Sequence, residues 1–149
     1  MPRVMGGLMQ GHLKLHLQRA HLEHHRGPEF ERMSPFVRII HEGREIWKSV
    51  HKEREGRNPE WGFAATFEWE VVNPDSLIRI EVIDHAGFLN NEPVAHCEVA
   101  WRTFCLPGGW EDSLELFFRA HAAGRIFFKS EFRPQDVIDA NPLPFVQPI

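Results

Sequence analysis

Hydrophobic and polar residues alternate along much of the chain. In GHLKLHLQ, residues 11–18, leucine occupies every second position from Leu13 to Leu17. The positions between the leucines carry histidine, lysine and glutamine, so the two sides of an extended segment differ sharply in polarity. A period of two is typical of a β-strand with one buried face. We therefore predict a half-buried strand at the start of the domain.

A second run, SLIRIEVID at residues 76–84, has the same period and is rich in β-branched residues. It is predicted to bury Ile80 and Val82 on one face. The third buried position is either Leu77 or Ile78, because both are apolar and adjacent. This segment is the clearest strand in the middle of the chain.

Six further runs have the character of strands, and turn-forming residues separate them. Glu42-Gly43 suits a tight hairpin, while Pro, Asn and Gly cluster at 73–75 and 106–109. The six runs cover residues 35–41, 44–50, 63–71, 93–101, 113–119 and 125–132. With strands spaced about every ten residues and no long helical stripe, the pattern predicts an all-β fold, an eight-stranded antiparallel β-sandwich.

The strands define one domain with an extension at each end. We predict an N-terminal extension at 1–10, the domain at 11–132 and a Pro-rich tail at 133–149. Proline cannot join the interior of a sheet, so the tail is expected to be extended. Its apolar residues Leu143 and Phe145 are its predicted contacts with a partner.

Composition and charge exclude some classes of protein. The formal net charge is -4, so no overall positive field attracts nucleic acid. The chain shows neither a secretory signal pattern nor an apolar run of about 20 residues that could span a bilayer. We expect an intracellular protein that is cytoplasmic or associated with a membrane or an assembly. Location in an organelle is a further alternative. Cys97 and Cys105 both look associated with strands, and we expect them to be packed free thiols.

Chemistry-bearing motifs are missing from the sequence. It contains no GxSxG, HExxH, Walker-type or paired-carboxylate arrangement, so we predict no catalysis, cofactor or small-molecule substrate. His12 and His16 share one strand face, and zinc would need three or four converging ligands. Because these two positions are far apart along the strand, surface histidines are the preferred interpretation.

Five segments, in order, resemble motifs of the C2 domain. The opening strand ends in a small residue and a leucine, and Asn58, Pro59, Trp61 and Phe67 match the N-P-x-W-x-x-x-F-x-F stretch of that family. The five segments are GHLKLHLQRAHL, SPFVRII, NPEWGFAATFEW, SLIRIEVID and the pair GGW with GRIFF. The resemblance covers roughly residues 11–132. It implies a C2-like sandwich in which loops 21–33, 51–62 and 84–92 meet at one tip.

In C2 domains that bind calcium, aspartates from the first and third of these loops hold the ion. Here Ser34 stands in one aspartate position, and Ala86 replaces another in the third loop. The first loop carries Glu23, Glu29 and Glu31 but no aspartate. Calcium takes six to eight oxygen ligands, so Asp84 and Glu92 are interpreted as a vestigial calcium loop without a metal. We predict that Asp84 instead accepts backbone N–H groups in the turn.

Many C2 domains carry a basic patch that meets anionic phosphoinositide head groups. The corresponding candidates here are Arg38, Lys48 and Lys52. Glutamates are interleaved with them, and each well-placed basic residue contributes only about 1 kcal/mol near an anionic membrane. The patch is therefore expected to be weak.

At the tip, Phe30, Phe88 and Leu89 could enter a bilayer, fill a groove in a partner or fold back beneath the loops. The sequence does not distinguish these three arrangements. Because the basic patch is diluted and the net charge is negative, we favour a calcium-independent protein-interaction or scaffold subunit of a larger complex. The alternative is a calcium-independent peripheral module that binds an anionic membrane surface.

Overall fold

A computed structural model describes residues 10–23, 33–62, 65–86 and 90–135. All eight predicted strands are present in it, and a short 3₁₀ helix, Trp101–Phe104, follows the sixth. The strands are β1 Gly11–Leu22, β2 Pro35–His41, β3 Arg44–Lys48, β4 Thr66–Val71, β5 Leu77–Ala86, β6 Asn90–Ala100, β7 Trp110–Phe118 and β8 His121–Pro134. The all-β prediction is confirmed.

The strands form two antiparallel layers. Their order is β3-β2-β5-β6-β7-β8-β1-β4, and β6 meets β7 at the pair His96 and Phe117. All other neighbours pair along several residues, so this junction is where one layer ends and the other begins. The layers β3-β2-β5-β6 and β7-β8-β1-β4 enclose one hydrophobic core. This is the predicted eight-stranded antiparallel sandwich.

The alternation in β1 decides which side faces the core. Leu13, Leu15 and Leu17 are almost fully buried, and the polar residues between them lie on the outer surface. β1 lies between β4 and β8, so both of its edges are paired. In β5 the third buried residue is Ile78 at 1% exposure, whereas Leu77 is 59% exposed.

Trp101 fills the end of the core where the β4–β5 turn and the 3₁₀ helix meet. It is 1% exposed, and its ring stacks on Trp69 with the centroids 5.6 Å apart. The backbone N–H of Trp101 donates to the carbonyl oxygen of Ser76 at 3.2 Å, which ties the helix to the turn. At the opposite edge from the β6–β7 junction, Trp47 of β3 packs on Phe67 of β4 with ring centroids 5.8 Å apart. Aromatic rings therefore link the two edge strands.

Some sequence predictions differ from the structure in detail. β5 and β6 run past the predicted ends, because pairing continues from Asp84–Glu92 to Ala86–Asn90 and lengthens the hairpin. Cys105 follows the 3₁₀ helix and is not on a strand, contrary to expectation. Both Cys97 and Cys105 are buried free thiols, and burial raises the pKa of each to about 12. The domain boundaries at 11 and 132 stay predictions.

Candidate functional site

The described part of the loop tip is held together by Ser34 and Asp84. The Oδ1 atom of Asp84 accepts the backbone N–H of Ser34 at 2.9 Å, and the N–H of His85 donates to the Ser34 carbonyl at 3.0 Å. The Ser34 hydroxyl oxygen accepts the N–H of Arg54 at 3.0 Å. Asp84 therefore accepts a backbone N–H from a neighbouring loop. These contacts join all three loops that flank the tip.

Few calcium ligands lie in the described part of the tip. Ser34 and Asp84 both make hydrogen bonds to backbone N–H groups, and Glu92 lies opposite Asp84 in the β5–β6 pairing. The rings of His51 and His85 stack beside them with centroids 4.2 Å apart. Across the described residues, no group of three or more His, Cys, Asp or Glu side chains could hold a metal ion. Calcium would need several more oxygen ligands.

The outer face of the β3-β2-β5-β6 layer carries the candidate lipid-binding residues. Arg38 donates from Nε to Oε1 of Glu81 at 2.6 Å, and Arg79 donates from Nε to Oε2 of the same carboxylate at 2.6 Å. Arg38 also lies 3.6 Å from Glu45. We call the three residues Arg38, Glu81 and Arg79 the β2–β5 clamp. One carboxylate thus engages two guanidinium groups on this face.

The environment of Glu81 is unusual for a surface glutamate. Its side chain is only 13% exposed. Burial is the largest single influence and by itself raises the pKa of Glu81. The hydrogen bonds and positive charges of Arg79 and Arg38 together outweigh burial, so the pKa lies below its ordinary value of 4.5. Glu81 therefore stays ionised under mildly acidic conditions.

The two lysines complete the predicted basic patch only in part. Lys48 is paired with Arg38 across β2 and β3 and is exposed, with its Nζ atom 5.9 Å from the ring centroid of Phe36. Lys52 lies in the loop after β3, and its Nζ atom is 3.8 Å from the carboxylate of Glu55. Carboxylates thus accompany Arg38 and Lys52, and the face carries mixed charge.

Glu81 and Arg79 were missed by reasoning from sequence. The alternation in β5 places both on its outer face, since Ile78, Ile80 and Val82 point inward. The sequence shows this alternation, but it does not show that β5 pairs with β2. Only the strand order brings Glu81 beside Arg38.

Removing the carboxylate of Glu81 should weaken the fold in a pH-dependent way. For Glu81→Gln we expect a loss of about 1–3 kcal/mol in the free energy of unfolding near neutral pH, since two charge-assisted hydrogen bonds are lost. Because the folded-state pKa is lowered, this contribution is complete above the ordinary value of 4.5 and disappears as the pH falls through the folded-state pKa. Urea unfolding of both proteins across this range measures the difference.

The control for this measurement is Glu98→Gln, an exposed carboxylate on β6. It should change the free energy of unfolding by no more than about 0.5 kcal/mol. If the difference between wild type and Glu81→Gln did not narrow in acid, the clamp would not be what stabilises this face.

The remaining predicted contacts fall elsewhere. Phe30, Phe88 and Leu89 at the tip lie outside the described residues, and so do Leu143 and Phe145 of the tail. His12 and His16 of β1 make separate contacts: His12 lies 3.0 Å from Glu68, and His16 lies 2.8 Å from Glu131. Within the described residues, no helix is long and apolar enough to cross a membrane.

Comparison with known proteins agrees with the architecture. A C2 domain of plant Extended Synaptotagmin 1 superposes with a TM-score of 0.69 at 22% identity, covering 83% of this chain and 95% of that one. A structure described only as a C2 domain gives 0.60 at 14% identity, covering 82% and 97%. A structure of Extended-Synaptotagmin 2 that contains two C2 domains gives 0.62 at 14% identity, covering 89% and 44%. At these identities the likeness shows the fold alone.

No curated protein matches the sequence. A family model described as "C2 domain" matches residues 11–116, which is most of the chain. This match covers β1 through most of β7 and agrees with the strand order and the loop tip described above. The chain belongs to the C2 domain family, whose domains are generally non-catalytic modules that bind proteins or membrane lipids.

Proposed function

We propose that this protein is a non-catalytic, calcium-independent interaction subunit of a larger protein assembly. The observation that carries the proposal is the β2–β5 clamp. Glu81 engages Arg38 and Arg79 at 2.6 Å each, on the face where a lipid-binding C2 domain would need uncompensated positive charge. An anionic head group would have to compete with a carboxylate that is already in place.

The charge of the whole chain supports the same proposal. Its formal net charge is -4, so an anionic bilayer repels it beyond the immediate patch. Calcium could reverse that repulsion only through several bound oxygens, and the Ser34 hydroxyl and the Oδ1 atom of Asp84 already accept backbone N–H groups.

The exposed apolar residues favour contact with protein. Val50 is 66% exposed in the loop after β3, close to the tip. Val72 and Leu77 are 69% and 59% exposed and flank the β4–β5 turn at the other end. Apolar residues at both ends of a sandwich suit a subunit wedged between neighbours, whereas a membrane would meet only one end.

The alternative function is calcium-independent binding to an anionic membrane. Lys48 is the specific observation in its favour, because it is exposed beside Arg38. Phosphoinositide head groups would be the ligand on this alternative. The expected affinity for such a membrane is low, since each basic residue contributes about 1 kcal/mol.

Co-sedimentation with vesicles separates the two functions. The full chain is mixed with vesicles of phosphatidylcholine alone or with added phosphatidylserine and phosphatidylinositol bisphosphate, in calcium or in chelator and at two salt concentrations. We expect the protein to stay in the supernatant throughout. In its own cells, a tagged chain should co-migrate with a larger complex after detergent has removed the membranes.

Two results would contradict this proposal. Chelator-insensitive pelleting that falls with salt and with Arg38→Ala/Lys48→Ala would favour the membrane function. The matched control is Lys14→Ala/Lys129→Ala, which removes the same charge from the other layer. Pelleting that requires calcium would show that the tip binds the ion after all.

A further inference from the structure

The outer face of the β7-β8-β1-β4 layer contains a groove of about 930 Å³. We call it the β1–β8 groove. Its floor comes from β1 and β8, and its two walls come from the start of β7 and from residues 60–62. The volume lies within the range of roughly 300–1,000 Å³ that is usual for binding sites in proteins. The clamp does not contribute to it, whereas the last residues of the tip loop 51–62 do.

Residues 57–61 build one wall by continuing the sheet ahead of the start of β4. The N–H of Ala20 donates to the carbonyl of Pro59 at 3.1 Å, and the N–H of Trp61 donates to the carbonyl of Gln18 at 2.9 Å. An isolated bridge pairs Arg19 with Glu60. Backbone hydrogen bonds therefore fix Glu60 at the rim of the groove.

A β-bulge shapes the floor. The register of β1 against β8 shifts between Leu17 and Arg19, so the alternation breaks and both Gln18 and Arg19 lie outside the core. Bulges re-aim side chains and are common near functional sites. Here the guanidinium of Arg19 lies 3.7 Å from the ring centroid of Phe127. The cation is thus held against the floor by a cation–π contact.

Negative charge predominates around this floor. The lining includes the four carboxylates Glu60, Glu111, Asp112 and Glu131, and its cationic side chains are Arg19 and Lys129. The hydrogen bond between Glu131 and His16, at 2.8 Å, is the main cause that lowers the pKa of Glu131, and the positive charge of Lys129 lowers it further.

The other three carboxylates are available to a ligand. Glu111 accepts a hydrogen bond from Gln18 at 2.9 Å, and Asp112 accepts the N–H of Ser113 at 2.7 Å. Glu60, Glu111 and Asp112 are exposed, and none of them forms an ion pair with another residue of the described chain. They face the groove from both of its walls.

We propose that the β1–β8 groove binds a basic, extended segment of a partner protein. The segment would place lysine or arginine side chains against Glu60 on one wall and against Glu111 and Asp112 on the other. Charge complementarity selects this occupant, because an acidic segment would meet four carboxylates. The inference rests on the proposed interaction function and identifies the surface and the kind of partner. Alternate residues of an extended segment point the same way, so alternating basic residues can reach one wall together.

The test uses the full chain and a defined probe. The probe is a fluorescein-labelled peptide in which arginine alternates with threonine, and fluorescence anisotropy at low salt measures its affinity. The variant is Glu60→Gln/Glu111→Gln/Asp112→Asn, which keeps the shapes and the hydrogen-bond acceptors. We expect this variant to bind about tenfold more weakly, from several exposed charge pairs together. A peptide with glutamate in place of arginine should not bind.

The matched control is Glu42→Gln/Glu45→Gln/Glu98→Gln, which removes the same charge from exposed positions on the other layer. It should leave the affinity within about twofold of wild type, because exposed charges beyond a Debye length are screened. Thermal unfolding of both triple variants confirms that they fold, as expected for exposed positions. Equal losses in the two variants would overturn the proposal, since binding would then follow net charge alone. No binding of the basic peptide by wild type would also overturn it.

These results are distinct from those of the vesicle experiment. A chain that co-migrates with a larger complex but ignores the basic peptide keeps the interaction function and loses the groove as its surface. A chain that pellets with anionic vesicles through Arg38 and Lys48 loses the interaction function, whatever the peptide does. Groove-specific peptide binding without vesicle binding supports both.

Discussion

Replacing Trp101 with alanine is expected to destabilise the protein by about 3–5 kcal/mol, which is the usual cost of removing a large aromatic ring from a core. Trp101 is 1% exposed and stacks on Trp69 and Phe67, with centroid distances of 5.6 and 6.3 Å. His41 of β2 lies 5.7 Å from the same ring. Strands from both layers therefore depend on it.

Replacing Trp101 with alanine leaves a cavity, and the neighbouring rings cannot move in to fill that cavity. Trp69 and Phe67 are fixed on β4, and His41 is held by a contact of 3.0 Å to the hydroxyl of Ser76. Partial relaxation is the reason why large-to-small substitutions cost more than the transfer of the side chain alone. Chemical denaturation followed by far-UV circular dichroism measures the change in the free energy of unfolding.

Leu106→Ala is the control for Trp101→Ala. Leu106 is 40% exposed and lies in the same connection between β6 and β7. We expect it to change the free energy of unfolding by no more than about 0.5–1 kcal/mol. A loss below about 1 kcal/mol for Trp101→Ala would mean that the aromatic cluster is not a central part of the core.

Gly124→Ala should produce the second large loss. Gly124 has φ = 130°, a conformation that residues with a side chain rarely adopt, and it pairs with Leu22 across β1 and β8. A Cβ atom there would run into the carbonyl oxygen of His21. The strained backbone costs about 1–3 kcal/mol, and overpacking against a fixed neighbouring strand adds a similar ~1–3 kcal/mol.

Gly108→Ala separates these two contributions. Gly108 also has a positive φ, of 96°, but an added Cβ would meet nothing within 4 Å. It should therefore show the conformational cost without the clash. Urea unfolding of both variants gives the comparison, and equal losses would mean that β1 can move away from β8 to accommodate a methyl group. Since β1 and β8 form the floor of the β1–β8 groove, the same comparison measures how rigid that floor is.

The division between the two faces of each strand was predictable from sequence alone. Polarity with a period of two is a local property, so it assigned Leu13, Leu15 and Leu17 to the core without knowledge of any partner strand. The Glu42-Gly43 hairpin was predictable for a similar reason. Both residues have positive φ there, 53° and 78°, as a two-residue turn between twisted strands requires.

Leu77 and Ile78 were left as alternatives, although the period of two through Ile80 and Val82 already places Ile78 on the inner face, where it is buried. Local pattern was insufficient in the connection between β6 and β7. Cys105 was expected to be associated with a strand, whereas it follows the 3₁₀ helix that carries Trp101. Contacts of that helix with the β4–β5 turn decided this, and no residue near Cys105 indicates them.

The two surfaces on which the proposals rest were decided by tertiary structure. The clamp needs β5 beside β2, which places Glu81 against Arg38 across 43 positions of sequence. The β1–β8 groove needs a bulge in β1, the start of β7 and residues 60–62 at one place. Sequence determined the strands, their buried faces and the family resemblance, because these depend on neighbours a few residues apart. Which charges oppose each other depends on strand order, and strand order is set by packing over the whole core.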